Sequence, residues 1–136
     1  MNQDSLNGLG LELMTLELRG GAQDAPELLE QFAQRWQRLL PNHTQVKYHH
    51  AFLGLGPRQG IAQIEIHLGE DVFALEDDHK RIHALRRHVV HGVALSSETL
   101  PLEGWLPALL EALERESNHS RAVQDALEHL SRPKPI

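Results

Sequence analysis

The chain has 136 residues, a formal net charge of -6 and no cysteine. This length predicts one domain over residues 1–136, and the lack of thiols excludes disulfides, a cysteine nucleophile and cysteine-based zinc sites. The acidic balance argues against nonspecific nucleic-acid or membrane partners, because phosphates would be repelled. With no signal-like start and no apolar run long enough for a bilayer, we expect a cytoplasmic protein.

Two helices are predicted near the N-terminus. Between residues 6 and 18 apolar residues recur at helical spacing, but further apolar residues fill the opposite side of that helix. The pattern therefore fits both a helix and a strand, and we predict a helix. The second helix begins where Asp24 can cap free N–H groups and Pro26 occupies the first turn, and it ends at Pro41.

Alternation of apolar and polar residues predicts an antiparallel sheet in the middle of the chain. The strands are expected over residues 46–53, 63–68 and 72–75. Glycine and proline punctuate residues 54–60 so densely that we expect a loop there, and residues 69–71 predict a hairpin connection.

Residues 81–95 fit two patterns. Their apolar spacing suits a helix that Asp78 would cap, and it also suits a strand. The β-branched residues Val89, Val90 and Val93 favour one long or bent strand, which would be the fourth of the sheet.

Two helices are predicted in the last third. The first is expected to begin near Gly104, because Pro107 is tolerated best in a first turn. Ser120 can cap the second, and residues 132–135 end the fold. The expected fold class is therefore α+β, a four-stranded antiparallel meander flanked by one or two N-terminal helices and two C-terminal helices.

The segment from Val89 to Leu113 carries a resemblance to known sequences. It begins Val-Val-His-Gly-Val-Ala-Leu-Ser-Ser-Glu-Thr-Leu-Pro-Leu-Glu-Gly-Trp-Leu. It resembles the C-terminal part of small bacterial proteins of unknown function, in which a strand leads into a helix opened by an acidic-Trp-Leu step. The resemblance implies a strand followed by a helix and brings no activity with it.

Histidine is the residue type most suggestive of chemistry. The chain has ten, including an adjacent pair at 49–50 and four within residues 79–91. Imidazole is a common metal ligand and titrates near neutrality. Because the strand register is not known from the sequence, the histidines fit two interpretations, a ligand site and a solvated polar sheet face. The predicted ligand-binding residues are His67, His83, Arg87 and His91.

Arginines in the same stretch offer a second interpretation. The fork of Arg87 suits a phosphate, a carboxylate or an acidic partner, whereas charge on an edge strand also protects against aggregation. No serine lies in a Gly-x-Ser-x-Gly elbow, and the acidic residues 76–78 suit solvation and capping better than acid–base chemistry. We therefore expect no cofactor and lean against an enzyme.

Two functions remain after these exclusions. A four-stranded sheet with so few helices leaves surface to cover, so the first hypothesis is a homodimeric protein-interaction or chaperone-like module that pairs through its sheet or sheet edge. Small acidic secretion chaperones have a similar size and mix of elements. The alternative is a small metal-, anion- or ligand-binding protein that uses a sheet face rich in histidine and arginine.

Overall fold

The computed structural model describes residues 25–52 and 55–131, which fold as an antiparallel sheet with helices. In chain order the elements are α1 (Ala25–Leu39), β1 (Thr44–Phe52), β2 (Leu55–Leu68), β3 (Asp71–Asp77), β4 (Ile82–Val90), β5 (Val93–Leu100), α2 (Leu102–Glu116) and α3 (Arg121–Ser131). Each strand pairs with the next one along the chain, so the sheet is a simple meander. The α+β class and the antiparallel sheet are confirmed. The helix predicted over residues 6–18 and the cap at Asp24 lie outside the described residues.

Packing of the helices against one face of the sheet makes the core. Buried Ile64 and Ile66 alternate with polar residues along β2, as a strand with one covered face requires. The ring of Phe32 in α1 lies 6.2 Å from that of Trp105 in α2, and Trp105 meets Phe73 of β3 edge to face at 6.2 Å. These aromatic contacts join both helices to the same side of the sheet.

The C-terminal helices are close to their predicted positions. Helix α2 begins at Leu102, two residues before the predicted start at Gly104, so Pro107 lies inside the helix and not in its first turn. Pro107 is exposed, and on an exposed helix surface water can bind the carbonyl that the proline leaves without a partner. The predicted cap of α3 is confirmed, because Ser120 Oγ accepts a hydrogen bond from the Val123 N–H at 3.3 Å.

The sheet has five strands among the described residues where four were predicted. The single strand expected over residues 81–95 is a hairpin of β4 and β5, and β5 continues to Leu100. Its two-residue turn is His91-Gly92, and both residues have positive φ, 51° and 80°. Primed turns of this kind match the twist of the flanking strands and demand a left-handed backbone at both central positions. Histidine is a weaker turn signal than asparagine or aspartate, so the sequence pattern did not indicate the break.

The loop predicted over residues 54–60 is also wrong for the described part, because β2 starts at Leu55. Gly56 and Gly60 have φ of 90° and 93°, and the pairing with β1 shifts register twice along this part of the sheet. Glycine accommodates these bulges inside a strand as readily as it forms a loop. Within the described residues, none of the helices combines the length and apolar character needed to cross a membrane.

Candidate functional site

The sheet face that points away from the core carries a charged network centred on Arg87. Its guanidinium lies 2.5 Å from Glu76 Oε1 and 3.3 Å from Glu65 Oε2, and Gln63 donates to the same Glu76 oxygen at 2.7 Å. The three charged side chains are 14 to 33% exposed. Two carboxylates thus engage the positive charge of Arg87, so an incoming anion would have to compete with both.

The four ligand residues predicted from the sequence do not all meet. His67 Nε2 lies 3.7 Å from Glu65, so His67 and Arg87 approach the same carboxylate from opposite sides of Val72. His83 pairs instead with Asp78 at 2.8 Å, and His91 is exposed in the turn between β4 and β5. Ligand binding by these four residues stays a prediction.

Asp78 organises the turn between β3 and β4. One of its carboxylate oxygens accepts hydrogen bonds from the backbone N–H groups of Lys80 and Arg81, both at 2.8 Å, while the other faces His83. The bond from His83 and then the two backbone donors hold the pKa of Asp78 well below its usual range. The turn therefore depends on an ionised carboxylate, which explains the capping role expected for this acidic run.

A cluster that the sequence did not predict lies beside Asp78, where β3 enters the same turn. His49 of β1, Asp77 of β3 and His79 in the turn bring one ligand atom each to within 4.8 Å of one another. His49 Nε2 lies 3.4 Å from Asp77 Oδ2, and the two imidazole rings stack with centroids 4.0 Å apart. We call these three residues the His49 cluster.

Irregular pairing brings the His49 cluster together. A register shift falls between Lys47 and Tyr48 of β1, where Ala62 of β2 has no partner in β1. Such bulges bend a strand and redirect its side chains. In β2, Ala62 precedes Gln63, which pairs with Glu76 of β3. Strand β2 lies between β1 and β3, so strand order and register decide that His49 meets Asp77, which is why spacing along the chain could not reveal the site.

Strand β5 forms an open edge of the sheet. Every residue from 93 to 99 is exposed, and Val93 and Leu95 expose 60% and 62% of their surfaces. Across the described ranges, no strand pairs with the outer side of β5. Its eight residues contain one charge, that of Glu98. This edge presents backbone hydrogen-bonding groups and apolar side chains together.

No family model, curated protein or solved structure matches this chain. Its function therefore has to be argued from the charged network, the His49 cluster and the β5 edge.

Proposed function

We propose that this protein is a homodimeric interaction module in which two copies pair antiparallel along β5. The observation that carries the proposal is the exposure of the whole strand from 93 to 99, with Val93 and Leu95 among its side chains. An unpaired edge of this length is a template for another strand, and proteins normally protect it unless it is used. Edge pairing would join two sheets into one continuous sheet.

The opposite edge of the sheet is protected, and this contrast favours β5 as the interface. Strand β1 has three register shifts along its pairing with β2, whereas β5 has one shift in its pairing with β4. Strand β1 also carries Lys47 and two histidines in its second half. Bulges and charged side chains are the usual means by which an edge is kept from pairing.

The composition of β5 suits a second copy of the same chain. A two-fold axis at the facing Ser96 residues of the two copies places small neutral side chains opposite each other at the centre of the interface, as an isologous contact permits. In that register Glu98 faces Ala94 of the other copy, and the two Glu98 side chains stand four residues apart, about 13 Å along the strands. The two Glu98 carboxylates are thus far enough apart that their repulsion does not act at the centre of the contact.

Association can be tested with Leu95→Lys and Val93→Lys. Both positions are exposed, so the folded monomer should tolerate lysine. Each dimer would carry two copies of the new charge. If each copy costs about 0.7 kcal/mol of association free energy, the dissociation constant should rise about tenfold. Sedimentation equilibrium over a range of protein concentrations measures this constant directly.

The matched control is Gln45→Lys, which adds the same charge at an exposed position on the β1 edge. It should leave the dissociation constant unchanged. A wild-type chain that stays monomeric up to high micromolar concentration would overturn the proposal. The proposal would also fail if Gln45→Lys weakened the dimer and the two β5 variants left it unchanged. Pairing of β5 with a partner's strand in place of a second copy would appear as a strictly monomeric chain by itself.

A further inference from the structure

We propose that His49, Asp77 and His79 bind one divalent transition-metal ion of the zinc class. The inference is independent of dimerisation, since the His49 cluster involves β1 and the β3–β4 turn and no residue of β5. Two imidazole nitrogens and one carboxylate oxygen form a ligand set that suits zinc and its neighbours, whereas calcium and magnesium prefer oxygen ligands throughout. Three protein ligands leave a coordination position for water or for an external ligand.

The distances fit such an ion. Bonds of about 2.0–2.1 Å in a tetrahedral zinc site place neighbouring ligand atoms about 3.3 Å apart. His49 Nε2 and Asp77 Oδ2 are already 3.4 Å apart. The widest separation in the cluster is within 4.8 Å, so a movement of about 1.5 Å by the exposed His79 ring would complete the set.

Contacts within the protein leave His49 incompletely satisfied, which is an independent indication of a ligand. Its Nε2 is buried, and it makes no hydrogen bond to the residues that the structure describes, although Asp77 Oδ2 lies nearby. Buried polar atoms are nearly always hydrogen-bonded, so an exception calls for an explanation. The rings of His49 and His79 are stacked with their centroids 4.0 Å apart, so two imidazoles already lie side by side at the cluster.

The backbone at His79 keeps its ring over the cluster. This residue has a φ of 72°, in the left-handed region, and its N–H donates to Asp77 Oδ1 at 3.2 Å. The hydrogen bond uses one carboxylate oxygen and leaves the other toward His49. Left-handed residues other than glycine are uncommon and concentrate at sites that need a particular geometry.

The direct test is calorimetric titration of the chelator-treated full chain with zinc, with calcium as the comparison ion. We expect one zinc per chain and no calcium binding. His49→Ala and His79→Gly should each weaken zinc binding by more than about a hundredfold, since even loss of a residue that only supports a ligand costs about 10–100-fold in affinity. Glycine at 79 accepts the positive φ, so the second variant removes the ligand without straining the turn.

The matched control is His88→Ala, because His88 also lies beside an aspartate, 3.6 Å from Asp71, outside the His49 cluster. It should bind zinc like the wild type. Cobalt absorption provides a second readout, since a four-coordinate site with nitrogen ligands gives a visible spectrum that the His79→Gly variant should lose. Absence of stoichiometric zinc binding would overturn the proposal. Equal binding by the wild type and both cluster variants would also overturn it, because the zinc would then be held by other histidines.

Discussion

Trp105 donates its indole N–H to the carbonyl oxygen of Leu85 at 2.9 Å, and this bond fixes helix α2 to the backbone of β4. The indole is fully buried and also contacts the rings of Phe32 and Phe73. A tryptophan in such a position combines a large apolar surface with one directed polar contact. The contact places α2 over strands β3 and β4, which lead into the turn that contains Asp77, Asp78 and His79.

Replacement of each buried tryptophan by phenylalanine should separate this hydrogen bond from ring burial. Trp36 is equally buried, but its indole N–H has no hydrogen-bond partner within the described part of the chain. Trp105→Phe should therefore lower the free energy of unfolding by about 1 kcal/mol more than Trp36→Phe does, because the first variant alone loses a hydrogen bond. Urea denaturation followed by circular dichroism measures both values. Equal losses would show that the bond to Leu85 contributes nothing to stability.

Alternation and capping were sufficient to predict most elements of the fold. Ile64, Ile66 and Leu68 alternate with polar residues, and the strand that contains them ends at Leu68 as the pattern predicted, although it begins earlier, at Leu55. Two of the failed strand predictions involve residues with positive φ angles. His91 and Gly92 turn the chain between β4 and β5, while the glycines at 56 and 60 lie within a bulged strand. The same residue type serves a turn, a loop or a bulge, so composition alone does not distinguish them.

The candidate site could be predicted less well because it depends on which strands are neighbours. A histidine on β1 reaches the end of β3 across β2, and no spacing rule connects residues 49 and 77. His83 was singled out for its place in a histidine-rich stretch, yet its partner is Asp78 five residues earlier. Pairing register, and here a shift in that register, decides which side chains meet.

Removal of the Arg87 guanidinium should lower the free energy of unfolding by an amount that depends on salt concentration. Arg87→Met leaves Glu65 and Glu76 on the same face without the guanidinium between them, and we expect the free energy of unfolding to fall by about 1–2 kcal/mol. High salt should reduce the loss, because the repulsion between the two partly exposed carboxylates is then screened. Arg121→Met, at an exposed position of α3, serves as the control and should change stability little. A loss that is the same at low and high salt would argue against electrostatic bridging.

The hydrogen bond that caps α3 predicts how substitutions of Ser120 change stability. Ser120→Ala removes the acceptor for the Val123 N–H and should reduce stability by about 1 kcal/mol. Ser120→Asp should retain the wild-type value, because aspartate accepts the same bond and also interacts favourably with the helix N-terminus. Hydrogen exchange should show faster opening of the first turn of α3 in the alanine variant alone. Equal exchange in both variants would exclude a capping role for Ser120.

The lowered pKa of Asp78 predicts how the stability of the protein changes at acidic pH. Its pKa is lowered in the folded chain, first by the hydrogen bond from His83 and then by the backbone donors of Arg81 and Lys80. A carboxyl group with a lowered folded pKa stabilises the protein fully above its unfolded pKa of about 3.9, and this contribution is lost as the pH falls further. The wild type should therefore lose stability relative to Asp78→Asn below about pH 4, and the difference should be constant above about pH 5.

Carbon NMR of the aspartate carboxyl groups tests the cause of that shift. The Asp78 signal should titrate below the ordinary aspartate range in the wild type, and its pKa should rise in His83→Ala because the hydrogen bond that lowers this pKa most is removed. The rise should be partial, since the N–H groups of Lys80 and Arg81 still bind the carboxylate. His88→Ala removes a histidine from the same strand that does not contact Asp78, and it should leave the titration unchanged. An ordinary Asp78 pKa in the wild type would mean that the turn does not depend on this carboxylate being ionised.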